Sequence, residues 1–300
     1  MKTLVLTDSY DATTDLLIHY IGNGNIFRLN IDKWHETKIY ITNDSIKLSV
    51  LNNEISDKEI SKVLWRKPLN YELETDNYIS SELKYIFREI FNYFSNQNKT
   101  ILIIPNVERY VGKIVQMKAA KNYFNVPEWS VSLNNYLDCG ECVVKSLATG
   151  KTNDNKIIYT TQVFKENLDP NFPWLLQNII VADLDVTVVF INGKCFPFEL
   201  QREKKLIDWR KEINKKKQVW KVHTLDNEMR VKIESLMKNL NLKFGRLDFL
   251  FNSDGYHFLE VNPNGQWAWL DLNNENGLMA EMIKQVSPNT IIDSFVKTCP

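Results

Sequence analysis

The spacing of hydrophobic residues changes several times along this chain, and each change predicts a different element. An apolar run from Thr3 to Leu6 indicates a strand near the start of the sequence. Between Leu83 and Phe94, apolar residues recur every three or four positions, which is typical of one packed face of a helix. We assign that face to a core, because a cofactor site would place polar groups among the apolar ones. The first 100 residues therefore indicate an α/β unit.

The rest of the chain alternates between predicted helices and strands. Val126-Pro127 ends a helical segment, because the residue before a proline disfavours helical backbone. Asn192-Gly193 joins two alternating segments and is a strong signal for a tight hairpin turn. A loop of small and polar residues, 148–155, separates two strands. In chain order, the predicted elements are a helix over 112–120, strands over 142–147, 156–160, 175–181, 185–191 and 194–200, a helix over 229–240, a hairpin over 246–262 and a helix over 278–286.

The composition is that of a globular chain, with 44% hydrophobic and 25% charged residues. Lys and Arg (37) balance Asp and Glu (37), so we expect neither nucleic acid nor a membrane as a partner. No run approaches the roughly 18 apolar residues that cross a bilayer. Asp8 and Asp11 interrupt the first apolar run too early for a signal peptide, which predicts a cytoplasmic protein. Cys139 and Cys142 form a lone CxxC pair without nearby zinc ligands, so we expect ordinary reduced thiols.

The segment with the clearest chemistry is a hairpin in the last quarter of the chain. Two alternating strands meet at Ser253-Asp254-Gly255, and glycine suits the left-handed position of a three-residue turn. If Asn252 pairs with Tyr256, then Asp248 lies directly opposite Glu260. Because side chains alternate along a strand, such a register also fixes which later residues share that face.

This register would place Asn262 on the same face as Asp248 and Glu260. Opposed carboxylates lie about 5 Å apart at Cβ and repel, unless they bind a cation or share a proton. Two carboxylates and an amide oxygen are hard ligands that suit Mg²⁺, with phosphates and water completing its coordination. The alternative is an ordinary hairpin with a solvated acidic face. A rigid Asn-Pro-Asn-Gly exit favours the metal site.

One pattern in this chain resembles the metal-binding end of ATP-grasp enzymes. It consists of Asp248 followed by Glu260-Val261-Asn262-Pro263-Asn264-Gly265-Gln266-Trp267. The closing Pro-Asn-Gly-Gln-Trp is similar in particular to graspetide synthetases, which are microviridin-type peptide ligases and include the grasp-with-spasm maturases. The resemblance implies a ligase that uses ATP and Mg²⁺ to phosphorylate Asp or Glu side chains of a ribosomal precursor peptide. Ester or amide macrocycles then form with Thr, Ser or Lys side chains of that peptide.

The same resemblance implies an α/β (α+β) ATP-grasp fold in three parts. A pre-ATP-grasp domain would span 1–108, and a central subdomain with the adenine hinge and the lid loop would span 109–182. A C-terminal subdomain with the metal site would span 183–300. The leader and core of the precursor would be the partner, and the Asn192-Gly193 hairpin would engage the leader. Members of the family tend to be homodimers, so a homodimer is expected.

Further site residues follow from the resemblance. Lys113 and Lys145 would contact the nucleotide phosphates, and Asp183 would bind the ribose. The adenine hinge would use Gln177, Asn178 and Ile180. Lys145 would also act in catalysis together with Arg210, which would steady the acyl phosphate. The predicted substrate-binding residues are Arg66, Asp208, Arg210 and Arg246.

Several of these residues have an ordinary structural alternative. Lys113 could lie on a solvated helix face, and Arg66 and Arg210 could equally form structural ion pairs. The chain also departs from the family after the hinge, where Asp185 stands in place of the usual arginine. That leaves Arg210 and either Arg246 or Arg202 to supply the missing cation.

Two rival functions stay open from the sequence alone. The first is a ligase of the glutathione-synthetase or glutamate-adding type, which adds an amino acid to a small molecule or a protein tail. The second is a non-catalytic ATP-grasp-like binding module, for which the three metal ligands would be unnecessary.

Overall fold

The computed structural model describes residues 1–68, 73, 75–133, 141–147, 160–164, 168–169, 173–202 and 219–287. Its strands are β1 (Lys2–Thr7), β2 (Ile26–Asn30), β3 (Thr37–Ile41), β4 (Ile46–Val50), β5 (Asn53–Ser56), β6 (Ile60–Trp65), β7 (Thr100–Ile101), β8 (Trp129–Ser132), β9 (Glu141–Lys145), β10 (Thr161–Phe164), β11 (Trp174–Asn178), β12 (Leu184–Ile191), β13 (Lys194–Gln201), β14 (Lys221–Val222), β15 (Phe244–Asn252) and β16 (Gly255–Asn262). Its α-helices are α1 (Ala12–Ile21), α2 (Asn77–Ser95), α3 (Val107–Tyr110), α4 (Lys113–Ala120), α5 (Asn227–Asn239) and α6 (Leu278–Val286).

The first 101 residues form the predicted α/β unit around a parallel sheet in the order β2-β1-β6-β7. Helix α2 confirms the predicted apolar stripe, because Phe87, Ile90 and Phe94 are fully buried. Its first turn is capped by Asp76, whose side chain accepts a hydrogen bond from the Tyr78 N–H. A small antiparallel sheet, β3-β4-β5, was not predicted, since the strands β3 and β5 are largely exposed and carry little apolar patterning.

A second sheet is antiparallel in the order β10-β9-β11-β8. Strand β9 confirms the predicted strand over 142–147, although it ends at Lys145. Strand β11 confirms the strand predicted over 175–181 but ends earlier, at Asn178. The predicted lid loop 148–155 lies outside the described residues, as does most of the strand predicted over 156–160. The observed strand β10 begins just after that segment.

The third sheet is antiparallel in the order β14-β13-β12-β15-β16. Asn192 (φ 46°) and Gly193 (φ 92°) both adopt left-handed backbone between β12 and β13, which confirms the predicted hairpin turn. Helix α5 buries Met229, Ile233 and Met237 and contributes them to the same hydrophobic core as the sheet. This sheet therefore has one face in a core, and its other face is available for polar side chains.

Helix α4 packs against β16, the edge strand of the third sheet. The chain that follows α4 continues this contact, because Phe124 stacks on Phe258 and meets the edge of Phe249. The proposed division at 108 and 182 stays a prediction, and α4 is held by the third sheet although it precedes the second in sequence. Among the described residues, no helix combines the length and apolar character that a membrane span needs.

The aromatic cluster under β15 gives a prediction for stability. Phe249 is 1% exposed and contacts the rings of Phe124, Tyr256 and Phe258. Replacing it in Phe249→Ala should lower the free energy of unfolding by about 3–5 kcal/mol, because the cavity adds to the lost burial. Tyr85→Ala, at a side chain that is 59% exposed, should change it by less than about 0.5 kcal/mol. Urea unfolding measures both, and equal effects would contradict the assignment of Phe249 to the core.

Candidate active site

The hairpin that was predicted to carry the metal ligands is formed by β15 and β16. Asn252 pairs with Gly255, and Phe251 pairs with Tyr256. The predicted pairing of Asn252 with Tyr256 is therefore wrong by one residue. Gly255 does adopt left-handed backbone (φ 95°), as predicted, but the turn has two residues, Ser253 and Asp254, instead of the predicted three.

A β-bulge restores the predicted opposition of the two carboxylates. Phe249 pairs with Phe258, whereas its neighbour Asp248 pairs with Glu260, so Leu259 is an extra residue on β16. Such a bulge leaves one residue unpaired and changes the face on which later residues lie. It cancels the one-residue error at the turn, and Asp248 lies opposite Glu260 as expected.

The bulge also decides which face of the sheet carries the ligands. Phe258 is fully buried in the core. Uninterrupted alternation from Phe258 would place Glu260 and Asn262 on that same core face. Because Leu259 intervenes, Val261 returns to the core, and Glu260 and Asn262 join Asp248 on the opposite face.

Asp248 is held by groups from three strands. The Arg246 guanidinium binds its carboxylate through Nε and Nη2, at 3.3 Å and 3.1 Å. The Thr187 hydroxyl of β12 donates to Oδ1 at 2.8 Å, and the Asn262 amide donates to Oδ2 at 3.1 Å. The carboxylate is thus fixed in orientation on the polar face of the third sheet.

Glu260 lies among positive charges. Lys113 Nζ is 3.4 Å from its Oε2, and the Asn262 amide donates to Oε1 at 3.4 Å. Burial alone would raise the pKa of Glu260. The charges of Lys113, Lys145 and Arg246, together with the Asn262 hydrogen bond, outweigh this effect and lower the pKa from 4.5 to about 2. Glu260 is therefore ionised across the physiological range.

The two lysines that were predicted to contact phosphates converge on this carboxylate from different elements. Lys113 begins α4, and its ammonium also donates to the backbone oxygen of Ser146 at 2.8 Å. Lys145 ends β9 and acts on Glu260 electrostatically. Neither lysine lies on a purely solvated face. The structure therefore argues against the alternative that Lys113 lies on a solvated helix face. Their contact with phosphates stays a prediction.

The donor set of this face fits Mg²⁺ in its chemistry. Asp248, Glu260 and the oxygen of the Asn262 amide would supply three hard ligands. Within the described parts of the chain, no three His, Cys, Asp or Glu side chains gather at one point. Only two charged ligands would thus come from the protein here, as suits a cation shared with phosphates. The amide nitrogen of Asn262 faces the carboxylates in this structure, so ligation would need its amide turned over.

The predicted adenine hinge lies at the end of β11. Gln177 is buried, and its amide points to the sulfur of Met117 at 3.9 Å. Asn178 is bound to Glu128 through both its backbone N–H (2.8 Å) and its side chain (3.2 Å). The hinge is therefore tied to the segment that leads into β8. Adenine binding by this backbone stays a prediction.

In the segment after the hinge, Asp185 occupies the position where the family usually has an arginine. Ile180 is half-buried and Asp183 is exposed, while the Asp183 N–H donates to Phe251 O at 2.9 Å. Asp185 is buried and forms an ion pair with Arg202 at 2.8 Å. Arg202, one of the cations considered as a replacement, is thus engaged by the very residue that stands in the arginine's place.

Arg66 is 2% exposed and makes an internal network instead of facing an open site. It binds Asp11 at 3.3 Å and 3.4 Å, Asn264 Oδ1 at 3.0 Å and Gln266 Oε1 at 3.1 Å. Burial would raise the pKa of Asp11, but the charge and hydrogen bonds of Arg66 lower it. This arrangement favours the ion-pair interpretation of Arg66 over the predicted substrate contact. The network anchors the Asn-Pro-Asn-Gly-Gln exit to the first sheet.

The remaining predicted substrate residues divide into two groups. Asp208 and Arg210 lie outside the described residues. Arg246 is at the site, where it bridges Asp248 and the backbone oxygen of Gln266 (3.0 Å). Sequence reasoning missed Thr187 and Gln116, and in each case the available signal was a lone polar residue in an otherwise apolar stretch.

Comparison with solved structures confirms the ATP-grasp fold that the family resemblance implied. The structure is similar to macrocyclase MdnC bound with precursor peptide MdnA from Microcystis aeruginosa MRC (TM-score 0.78, 21% identity, 95% of this chain and 99% of that chain). It is also similar to a RiPP-associated ATP-grasp ligase of Chryseobacterium gregarium in complex with ADP and a leader and core peptide (0.77, 19%, 97% and 98%). A third similar structure is ATP-grasp ligase PsnB complexed with minimal precursor, Mg and ADP (0.69, 14%, 95% and 98%). No protein-family model and no curated protein matches the sequence.

The lowered pKa of Glu260 gives a prediction for acid stability. Its ionised form contributes stability that is complete above about pH 4.5 and is lost as the pH falls through about 2. Glu260→Gln should be less stable than the wild type at neutral pH, because three cations lose their counter-charge. The difference should shrink as the pH falls from 4.5 towards 2.

Urea midpoints of both proteins across this pH range measure the effect. Glu275→Gln, at an exposed carboxylate, is the matched control and should follow the wild type. A difference between Glu260→Gln and the wild type that does not vary with pH would contradict the charge assignment.

Proposed function

We propose that this protein is an ATP- and Mg²⁺-dependent ligase that crosslinks side chains of a ribosomal precursor peptide. The observation that carries the proposal is the meeting of Asp248, Glu260 and Asn262 on one sheet face, with Lys113 3.4 Å from Glu260 and the charge of Lys145 acting on the same carboxylate. The fold supports it further, because similar structures hold precursor peptides, ADP and Mg.

The chemistry explains why such a site needs no protein nucleophile. A carboxylate does not react with an alcohol or amine, because oxide is a very poor leaving group. Transfer of the ATP γ-phosphoryl group to a carboxylate oxygen gives an acyl phosphate and ADP. Attack by a peptide hydroxyl or amine then forms the ester or amide bond, and phosphate leaves with the carboxylate oxygen. The protein contributes positioning and charge neutralisation.

Each residue of the site has a proposed role. Asp248, Glu260 and Asn262 would hold Mg²⁺, which when bound would neutralise phosphate charge. Lys113 and Lys145 would balance the remaining charge of the triphosphate. Lys145 would continue to do this while the γ-phosphoryl group is transferred. Arg246, Arg210 and Asp208 are proposed on the substrate side. Adenine would be held by Gln177, Asn178 and Ile180, and the ribose by Asp183.

The precursor peptide is proposed to bind with a leader and a core. A cavity of about 350 Å³ lies beside the Asn192-Gly193 turn, between β13 and α5, and we propose it for the leader. Arg230 lines this cavity with a positive charge and Glu234 with a negative one, and the exposed Val231 lies beside them. The homodimer and the three-part division of the chain remain proposals from the family resemblance, and the cytoplasmic location remains a proposal from the N-terminal sequence.

The metal assignment predicts that Asp248→Asn loses catalysis. Charge stabilisation by a bound metal contributes several kcal/mol, so Mg²⁺-dependent ADP release should fall by at least about 100-fold. Asp254→Asn, at the exposed turn of the same hairpin, should release ADP at the wild-type rate. ADP release is measured with a Thr- and Asp/Glu-rich peptide as the substrate. Unchanged turnover of Asp248→Asn would remove the metal assignment.

The type of ligation is decided by mass spectrometry. A precursor co-expressed with this protein should lose the mass of one water for each link, because condensation of two side chains expels one. A ligase of the glutathione-synthetase or glutamate-adding type would add a residue mass instead. A non-catalytic binding module would leave the peptide mass unchanged.

A further inference from the structure

Helix α4 touches the ligand-bearing strand β16 at two points one turn apart. The first is Lys113, whose ammonium lies 3.4 Å from the Glu260 carboxylate. The second is Gln116, whose Oε1 accepts a hydrogen bond of 2.8 Å from the Val261 N–H. The other end of this amide donates to the Val111 backbone oxygen at 2.7 Å. Gln116 is 3% exposed, so both ends of a buried amide are satisfied between α4 and β16.

The Val261 N–H belongs to the residue that separates the two ligands of β16. Val261 separates Glu260 from Asn262, so the orientation of its peptide sets the direction of both side chains. Strand β16 is at the edge of its sheet, and the Val261 N–H turns away from β15 towards α4. Without a partner from α4, this buried donor would be unsatisfied.

The bulge makes a second restraint necessary. Leu259 interrupts the ladder just before Glu260, and a bulged strand bends and twists more than a regular one. Pairing with β15 alone therefore fixes the end of β16 less firmly than a regular ladder would. Gln116 restrains the strand directly after the irregularity.

We propose that Gln116 is a positioning residue that holds the backbone of β16 so that Glu260 and Asn262 stay on the metal face, close to Lys113. This inference rests on the proposed function, because it concerns the Mg²⁺-nucleotide site. A neutral amide suits the role, since it accepts from Val261 and donates to Val111 at once. Lysine lacks the acceptor, ionised glutamate lacks the donor, and methionine lacks both.

The test uses Gln116→Met, which keeps the length of the side chain and removes both hydrogen bonds. Two quantities are measured in the full-length protein: the exchange rate of the Val261 amide without nucleotide, and the Mg²⁺ concentration for half-maximal ADP binding. Amide exchange should be at least about tenfold faster in the variant, since the protecting hydrogen bond is lost. The Mg²⁺ midpoint should rise by about 10-fold or more, as for other groups that orient metal ligands.

Two further variants separate positioning from general stability. Asn125→Ala removes a side-chain hydrogen bond to Asp254 O at the turn of the same hairpin and should leave the Mg²⁺ midpoint unchanged. Gln116→Glu keeps the acceptor for the Val261 N–H, so its midpoint should lie closer to the wild type than that of Gln116→Met. If Gln116 had a packing role alone, a buried carboxylate would disturb the site more than methionine. The Mg²⁺ midpoint of Gln116→Glu would then lie further from the wild type than that of Gln116→Met.

The outcomes distinguish this inference from the proposed function. Wild-type protein that binds no ADP with Mg²⁺ would overturn the proposed function, whatever the exchange data show. Wild-type binding together with an unchanged midpoint in Gln116→Met would overturn the role of Gln116 only. If Gln116→Met does not fold, amide exchange in the wild type alone tests the hydrogen bond between Gln116 and Val261. A Val261 amide that exchanges there as fast as an unprotected one would disprove the hydrogen bond.

Discussion

The opposition of Asp248 and Glu260 across two neighbouring strands is the constraint on which the rest of the site depends. Two like charges at this spacing oppose the folding of the hairpin unless positive charge compensates them. That compensation comes from three separate elements, since Lys113 begins α4, Lys145 ends β9 and Arg246 lies on β15. The carboxylate pair is therefore the point at which the second sheet, the third sheet and α4 are joined electrostatically.

Much of the fold and the ligand set could be predicted because the signals are local. The turn at Asn192-Gly193, the stripe of α2 and the alternation of β15 and β16 each depend on residues close in sequence. The bulge at Leu259 could not be predicted, because Phe258-Leu259 is apolar at both positions and alternation does not show which one is extra. The correct pairing of Asp248 with Glu260 was reached through an incorrect turn register, and the bulge compensated for the error.

The arginines show where sequence reasoning stops. An arginine in a motif does not reveal its partner. Arg66 binds Asp11 and reaches Asn264, 198 positions away, which only the tertiary structure brings close. Arg202 meets Asp185 across the hairpin of β12 and β13. The choice between a substrate contact and an ion pair therefore depends on packing. The same holds for Gln116, whose partner lies 145 residues further on.

The charge balance of the site also bears on how a nucleotide would enter it. The cations around Glu260 already have a partner, because their charges lower the pKa of this carboxyl. A metal ion that binds Asp248 and Glu260 would take over the neutralisation of these carboxylates. Lys113 and Arg246 would then be released for the phosphates and the acyl phosphate of the proposed reaction. Binding would thus exchange partners within a cluster of two carboxylates and three cations, and no charge would be left buried alone in either state.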